Sequence, residues 1–165
     1  MPTILKKQKT SLSKTKKQAT YTYENVLEKS IAYFNGDELA ATTWMNKYAV
    51  KNKNGSFVEQ SPDDMHKRMA IEFARIEADY KLKYNLNGSA KFLSNYGKER
   101  NELTEKKIYH YFKNFGYIIP QGSVMSSLGN PYQLASLSNC IVVPELHDSY
   151  GGVFYTDQQL AQLFK

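Results

Sequence analysis

The strongest constraint on how this chain folds is a helix start followed by a regular apolar stripe. Ser61-Pro62-Asp63-Asp64 places a hydroxyl at the N-cap position, a proline at the first helical position and two acids in the first turn. The apolar residues that follow recur every three or four positions, which is the period of a helix with one buried face. The pattern predicts a long amphipathic helix from Pro62 to about Tyr80, buried through Met65, Met69, Phe73, Ile76 and Tyr80.

Shorter helices are predicted on both sides of this long helix. Before it, one helix starts near Tyr23 and ends at Asn35-Gly36, and Asp37 opens a second that folds back as an antiparallel hairpin. After it, Thr104 caps a helix that ends at Gly116. The expected buried positions are Val26, Leu27, Ile31 and Phe34, then Leu39, Ala40, Trp44, Tyr48 and Ala49, and finally Ile108, Tyr111, Phe112 and Phe115.

The last part of the chain is predicted to be less regular. Residues 121–131 are rich in glycine, serine and asparagine and are predicted to form a loop, whereas residues 133–143 are predicted to be β-like and to end in the apolar run 140–143. A tight loop at residues 148–152 then precedes a last helix capped by Thr156. Because a strand this apolar needs neighbours that the sequence does not supply, we expect the front part of a larger protein. A small helical domain with one short hairpin is the alternative.

Composition excludes several classes of protein. The 165 residues suffice for one domain with a core, no apolar run approaches the length of a membrane-spanning helix, and no signal peptide is visible, so a cytoplasmic protein without membrane contact is expected. A single cysteine, Cys140, excludes an internal disulfide framework and a cysteine-based zinc site. His66, His110 and His147 share no ligand spacing, so surface or capping roles are expected for them and no metal site is predicted.

The net charge of +6 comes from one short segment. Residues 1–17 contain six lysines and no acid, and removing those six from the 22 basic residues leaves 16 against 16 acidic residues. A neutral body argues against a folded nucleic-acid-binding domain, whose own surface would be basic. The basic segment is either a disordered, solvated leader or a contact for nucleic acid or a membrane surface.

Cys140 stands in a setting that favours chemistry. A cysteine followed by Ile-Val-Val is usually a small buried hydrophobe. Here it follows residues 136–139, Ser-Leu-Ser-Asn, whose hydroxyls and amide could bind an oxyanion. A few residues later, Asp148 and Ser149 could bind a ribose hydroxyl and a phosphate.

Residues 121–130, 136–140 and 148–152 occur in an order that resembles the large, catalytic subunit of ribonucleotide reductase, and residues 44–49 and 61–77 resemble the N-terminal helical domain of that family. The resemblance covers residues 23–165. It implies a mainly α fold with a lysine-rich disordered leader (1–20), an N-terminal helical domain (21–120) and the truncated start of the catalytic α/β barrel with its first strand (121–165). No N-terminal ATP-cone is visible.

The resemblance also implies residue roles. Cys140 matches the first cysteine of the redox pair that reduces the ribose 2′ position and ends as a disulfide. Ser123, with Gly122 as the competing position, matches the residue that holds the substrate phosphate. The remaining implied contacts are Ser138 and Asn139 with substrate, and Asp148 and Ser149 with a deoxynucleoside triphosphate effector that selects the base.

The implied activity is reduction of ribonucleotides to deoxyribonucleotides by thiyl-radical chemistry. With one cysteine the chain is expected to be inactive alone and to bind no cofactor of its own; the radical source would be a metal-containing small subunit or adenosylcobalamin. The implied partners are the remainder of the catalytic subunit, a second copy of that subunit, and a thioredoxin- or glutaredoxin-type reductant. The alternative is a small non-enzymatic helical module whose basic tail contacts nucleic acid or a protein partner.

Overall fold

The chain folds into helices joined by short irregular segments. A computed structural model describes residues 19–86, 95–96, 103–138 and 140–164. In this part there are two isolated β-bridges, from Phe57 to Tyr21 and to Lys51, and no longer strand. The predicted mainly α class is confirmed. The elements are α1 (Tyr23–Tyr33), α2 (Glu38–Lys47), α3 (Pro62–Leu86), α4 (Glu105–Phe112), a 3-10 turn (Lys113–Phe115), α5 (Gly122–Ser127) and α6 (Tyr150–Phe164).

Helices α1 and α2 form the predicted hairpin. Asn35 and Gly36 follow α1 with φ of 56° and 96°, the left-handed region that these two residue types tolerate best. The Asp37 Oδ1 then accepts a hydrogen bond from the Ala40 N–H at 2.9 Å and caps α2. The prediction that Leu39 is buried is wrong, because it is 78% exposed. The buried residues of α2 are Ala41, Trp44 and Met45.

Helix α3 is the centre of the fold. It begins at Pro62 as predicted and continues past the predicted end at Tyr80 to Leu86. Met65 and Met69 are fully buried, whereas Tyr80 is more than half exposed. The first half of α3 therefore lies in the core and the second half projects from it. The core consists of Val26, Trp44, Met45, Phe57, Met65, Met69, Ala70, Ile108, Phe112, Met125 and Leu128.

His66 lies in this core. The Tyr33 hydroxyl is 3.4 Å from its Nδ1, and its ring contacts Phe115 edge-on with centroids 4.6 Å apart. Among the described residues its Nε2 has no hydrogen-bond partner. Burial lowers the pKa of His66 to about 4. The surface or capping role predicted for His66 is wrong, because the residue lies beside Met65 on the face that α1 and α4 cover.

Helix α4 closes the other side of α3. Its predicted cap is confirmed, since the Thr104 Oγ1 accepts a hydrogen bond from the Lys107 N–H at 3.3 Å. The Tyr109 hydroxyl donates to Asp63 Oδ1 at 2.5 Å and joins α4 to the start of α3. The helix ends at Phe112, before the predicted Gly116, in a 3-10 turn. The left-handed residues of that turn are Asn114 and Phe115.

Three predictions about the last part of the chain are wrong. Residues 121–131 are not all loop, because α5 forms at Gly122–Ser127. The strand predicted at 140–143 is absent, since residues 140–147 have no regular secondary structure. The last helix begins at Tyr150, so the predicted tight loop at 148–152 is partly helical and Thr156 lies inside the helix. The sequence also favours a short helix at residues 90–95, of which only residue 95 lies within the described part of the chain.

Candidate active site

The arrangement around the predicted site depends on how α5 is held. Arg68, on α3, donates from Nη2 to the Met125 carbonyl at 2.7 Å and from Nη1 to the Leu128 carbonyl. Its Nε donates to Glu59 Oε1 at 2.7 Å, and both side chains are nearly buried, at 11% and 6% exposure. The other Glu59 oxygen accepts from the Val50 N–H at 2.8 Å. Arg68, which this ion pair holds in place, therefore attaches the end of α5 to α3 by two hydrogen bonds.

The chain leaves α5 through a glycine that no other residue replaces easily. Gly129 has φ of 72°, in the left-handed region. A Cβ there would lie 3.1 Å from Arg68 Cγ and 3.2 Å from Glu72 Cβ. The backbone therefore passes directly over α3 before it turns back along α5.

This turn brings two of the predicted substrate residues into one region. The Ser123 hydroxyl donates to the Leu137 carbonyl at 2.8 Å, so residues near 137 lie against the first turn of α5. The Ser138 N–H donates to Ser136 Oγ at 3.1 Å, which tightens the same segment. Gly122, the competing position, packs at the Tyr48 ring, since a Cβ there would lie 3.4 Å from its Cε1. Ser123 and Ser138 are thus joined through one short segment.

Cys140 follows this segment and is exposed. Within the part of the chain that the structure describes, no hydrogen bond links residues 140–147 to the helices. Asn139, predicted to contact substrate, lies outside the described residues. The structure therefore places the thiol near the serine segment and leaves it open to solvent.

Asp148 and Ser149 lie at the start of α6. The Ser149 Oγ accepts a hydrogen bond from the Gly152 N–H at 3.0 Å, so this serine caps the helix. Asp148 is exposed beside it. A Cβ on Gly152 would collide with the His147 carbonyl, so this turn also requires a glycine. No described hydrogen bond joins this turn to Ser123, Ser138 or Cys140.

Other kinds of site find less support in the described residues. They contain no group of three or more His, Cys, Asp or Glu side chains that could hold a metal ion. No helix among them is long and apolar enough to cross a membrane.

The profile of the ribonucleotide reductase all-alpha domain matches residues 34–133, which is more than half of the chain. This chain belongs to the ribonucleotide reductase large-subunit family. The match begins at Phe34, directly after α1, and includes α2, α3, α4 and α5. No curated protein and no solved structure matches the chain significantly.

The ribonucleotide reductase match includes only one of the predicted site residues. Ser123 lies inside the matched range. Ser138, Asn139, Cys140, Asp148 and Ser149 follow its last residue, 133, so their roles depend on the resemblance of the later motifs alone.

Sequence reasoning missed the residues that hold α5. Arg68 lies three residues after Met65 and next to Met69, so a charged side chain at the edge of a buried face was the available signal. Its partner Glu59 precedes the helix across a turn, at a separation that no periodic pattern predicts. The carbonyl acceptors on α5 are further away in sequence and leave no local signal at all.

Proposed function

We propose that this chain is the N-terminal portion of a ribonucleotide reductase catalytic subunit, which reduces ribonucleotides to deoxyribonucleotides. The observation that carries the proposal is the family match across residues 34–133. The structure adds an exposed thiol, Cys140, that directly follows a serine-rich segment attached to α5.

Cys140 is proposed to be one of two thiols that reduce the 2′ position of the ribose. A thiyl radical on another cysteine would abstract the 3′ hydrogen. The two thiols then supply two electrons and two protons, the 2′ oxygen leaves as water, and an S–S bond forms. Because these 165 residues contain one cysteine, the second thiol has to come from outside them. The radical source, a metal-containing subunit or adenosylcobalamin, would supply only the initial oxidation of the radical-bearing cysteine.

Ser123, Ser138 and Asn139 are proposed to bind the substrate. The Ser123 hydroxyl donates to the Leu137 carbonyl in this structure, and the same donor can turn to a phosphate oxygen. Substrate binding would then exchange one acceptor for another and release residues near 137. This exchange couples the phosphate contact to the segment that leads to Cys140.

Asp148 and Ser149 are proposed to begin the site of a deoxynucleoside triphosphate effector. The exposed Asp148 carboxylate can accept hydrogen bonds from a ribose hydroxyl. Ser149 uses its oxygen as a helix cap, and its O–H remains able to donate to a phosphate. We further propose that the complete subunit forms a homodimer and is re-reduced by a thioredoxin- or glutaredoxin-type protein.

The decisive experiment is Cys140→Ser in the assembled enzyme, with the rest of the subunit, its radical source and a dithiol reductant. Multiple-turnover formation of deoxyribonucleotide should fall at least a hundredfold, whereas substrate nucleotide should bind within about twofold of the parent enzyme. His110→Gln, on the exposed side of α4, is the matched control and should keep both properties. Undiminished turnover of the Cys140→Ser enzyme would refute the assignment.

A further inference from the structure

A basic pocket lies between the end of α2 and the end of α5. It has a volume of about 380 Å³ and is open to solvent. Lys47, Lys51 and Lys53 line one wall, and Ser126 and Asn130 line the wall that follows α5. The remaining lining residues contribute amide, phenol or backbone groups and no carboxylate.

The positive charge of this pocket is not balanced locally. Elsewhere in the described part, Lys67, Arg68 and Arg75 are paired with acids, Lys67 with Asp63 at 2.7 Å. In that same part, none of the three pocket lysines has a carboxylate within ion-pair distance. Lys51 instead lies over the Phe57 ring, with Nζ 4.6 Å from its centroid. Because the body as a whole is formally neutral, the pocket is a local concentration of positive charge.

The walls of the pocket are held by hydrogen bonds. The Asn52 Oδ1 accepts from the N–H groups of Asn54 and Ser56 at 2.9 and 3.0 Å, which closes the turn that carries Lys51 and Lys53. On the other wall, Asn130 Nδ2 donates to the Ser126 carbonyl at 3.4 Å. Because these hydrogen bonds hold both walls in place, binding of a ligand would need little rearrangement of the site.

We propose that this pocket binds the phosphate groups of a nucleoside triphosphate. Three ammonium groups and neighbouring amides offer hydrogen-bond donors and positive charge, which is what an oligophosphate needs. The volume is that of a small-molecule site and is too small for a nucleic-acid duplex. The inference goes beyond the proposed function, since none of these residues is assigned there to substrate or effector.

The test uses the full 165-residue chain at about 0.1 M salt, where long-range attraction between exposed charges is screened. Inorganic tripolyphosphate and ATP are titrated separately by calorimetry. The triple variant Lys47→Gln/Lys51→Gln/Lys53→Gln should bind both at least tenfold more weakly. A control with the same loss of charge, Lys29→Gln/Lys106→Gln/Lys113→Gln, should stay within twofold of the parent chain. Trp44 fluorescence should show the same unfolding midpoint for both triple variants.

One further variant separates the pocket from the lysine-rich N-terminal segment as a source of phosphate affinity. Deletion of residues 1–17, which removes six lysines, should leave both affinities unchanged. Loss of binding on this deletion, equal weakening by the two triple variants, or no binding by the parent chain would each overturn the proposal. Binding of tripolyphosphate without ATP would overturn the assignment to a nucleotide. Loss of reductase activity in the Cys140→Ser enzyme has no bearing on any of these outcomes.

Discussion

Two regions of this chain have similar apolar residues and very different surroundings. In the helical body, which comprises the described residues between 21 and 130, apolar side chains from α1 to α5 meet in one core. In the C-terminal segment, residues 131–164, α6 has no buried residue. Large apolar side chains of the C-terminal segment are exposed, among them Val142 at 96%, Phe154 at 69% and Phe164 at 86%. Apolar residues alone therefore do not form a core. They also need a second apolar surface against which they can pack.

The difference has a simple source in how each region is bonded. The body is joined by contacts between residues far apart in sequence, such as Arg68 with the α5 carbonyls. The hydrogen bonds at the start of α6 join residues within four positions of each other, as with Ser149 and Gly152. Exposed apolar patches of this kind mark surfaces that another structure covers. Under the proposed function, we expect the remainder of the catalytic subunit to cover it.

Breaking the buried ion pair should have the largest effect. Arg68→Met leaves the Glu59 carboxylate buried without its partner and frees the end of α5, so we expect a loss of about 3–5 kcal/mol in the free energy of unfolding. Urea unfolding followed by the fluorescence of Trp44, the only tryptophan, measures this loss. Arg75→Met removes an exposed cation that pairs with Glu72 and Asp79. That control should cost less than about 1 kcal/mol.

A pair of large-to-small substitutions tests the comparison directly. Met69→Ala removes a fully buried side chain from α3 and should cost about 2–5 kcal/mol. Phe154→Ala removes a larger side chain from α6 but should change the free energy of unfolding, followed by Trp44 fluorescence, by less than about 0.5 kcal/mol. A comparable cost for both variants would mean that α6 packs on the body in solution.

The buried His66 should make the body sensitive to acid. Its pKa of about 4 lies below that of an exposed imidazole, about 6.5. Between these values the unfolded chain binds the proton and the folded chain does not. Stability is therefore complete above pH 6.5 and falls as the pH drops towards 4, by at most about 3 kcal/mol.

Urea unfolding at pH 7.0 and 4.5 measures this loss. His66→Leu should flatten the pH dependence, whereas the exposed His110→Gln should preserve it. An NMR titration of the parent chain gives the His66 pKa even if the leucine variant does not fold; a value near 6.5 would contradict the prediction. Burial tends to raise the pKa of the neighbouring Asp63, but hydrogen bonds from Lys67 and Tyr109 lower it overall. The measurement therefore stays above the range in which Asp63 titrates.

Helix caps give the smallest expected effect. Asp37→Ala removes the cap of α2 in the body and should lower the free energy of unfolding by about 1 kcal/mol. Ser149→Ala removes the cap of α6 and should leave the Trp44 midpoint unchanged, while the helical circular dichroism signal decreases. A shift of that midpoint by Ser149→Ala would show that the two regions unfold together.

Much of the fold was predictable because the deciding interactions are local. The start of α3, the caps at Asp37 and Thr104 and the Asn35-Gly36 ending each depend on residues within a few positions. The apolar period identified most of the core of the body. For the site, motif order pointed to Ser123, Ser138 and Cys140, and the structure joins the first two through the 136–138 segment.

What only the tertiary structure decided involves partners distant in sequence. Residues 122–127, with one glycine and three serines, have weak helix propensity, yet α5 forms where Arg68 binds the Met125 carbonyl and Met125 enters the core. His66 is buried because Tyr33 from α1, Phe112 from α4 and Phe115 from the 3-10 turn cover its ring. The apolar run 140–143 remains without strand structure, since a strand exists only when another pairs with it. Local chemistry thus set where α2, α3 and α4 begin and where α1 ends, and long-range contacts set which surfaces became interior.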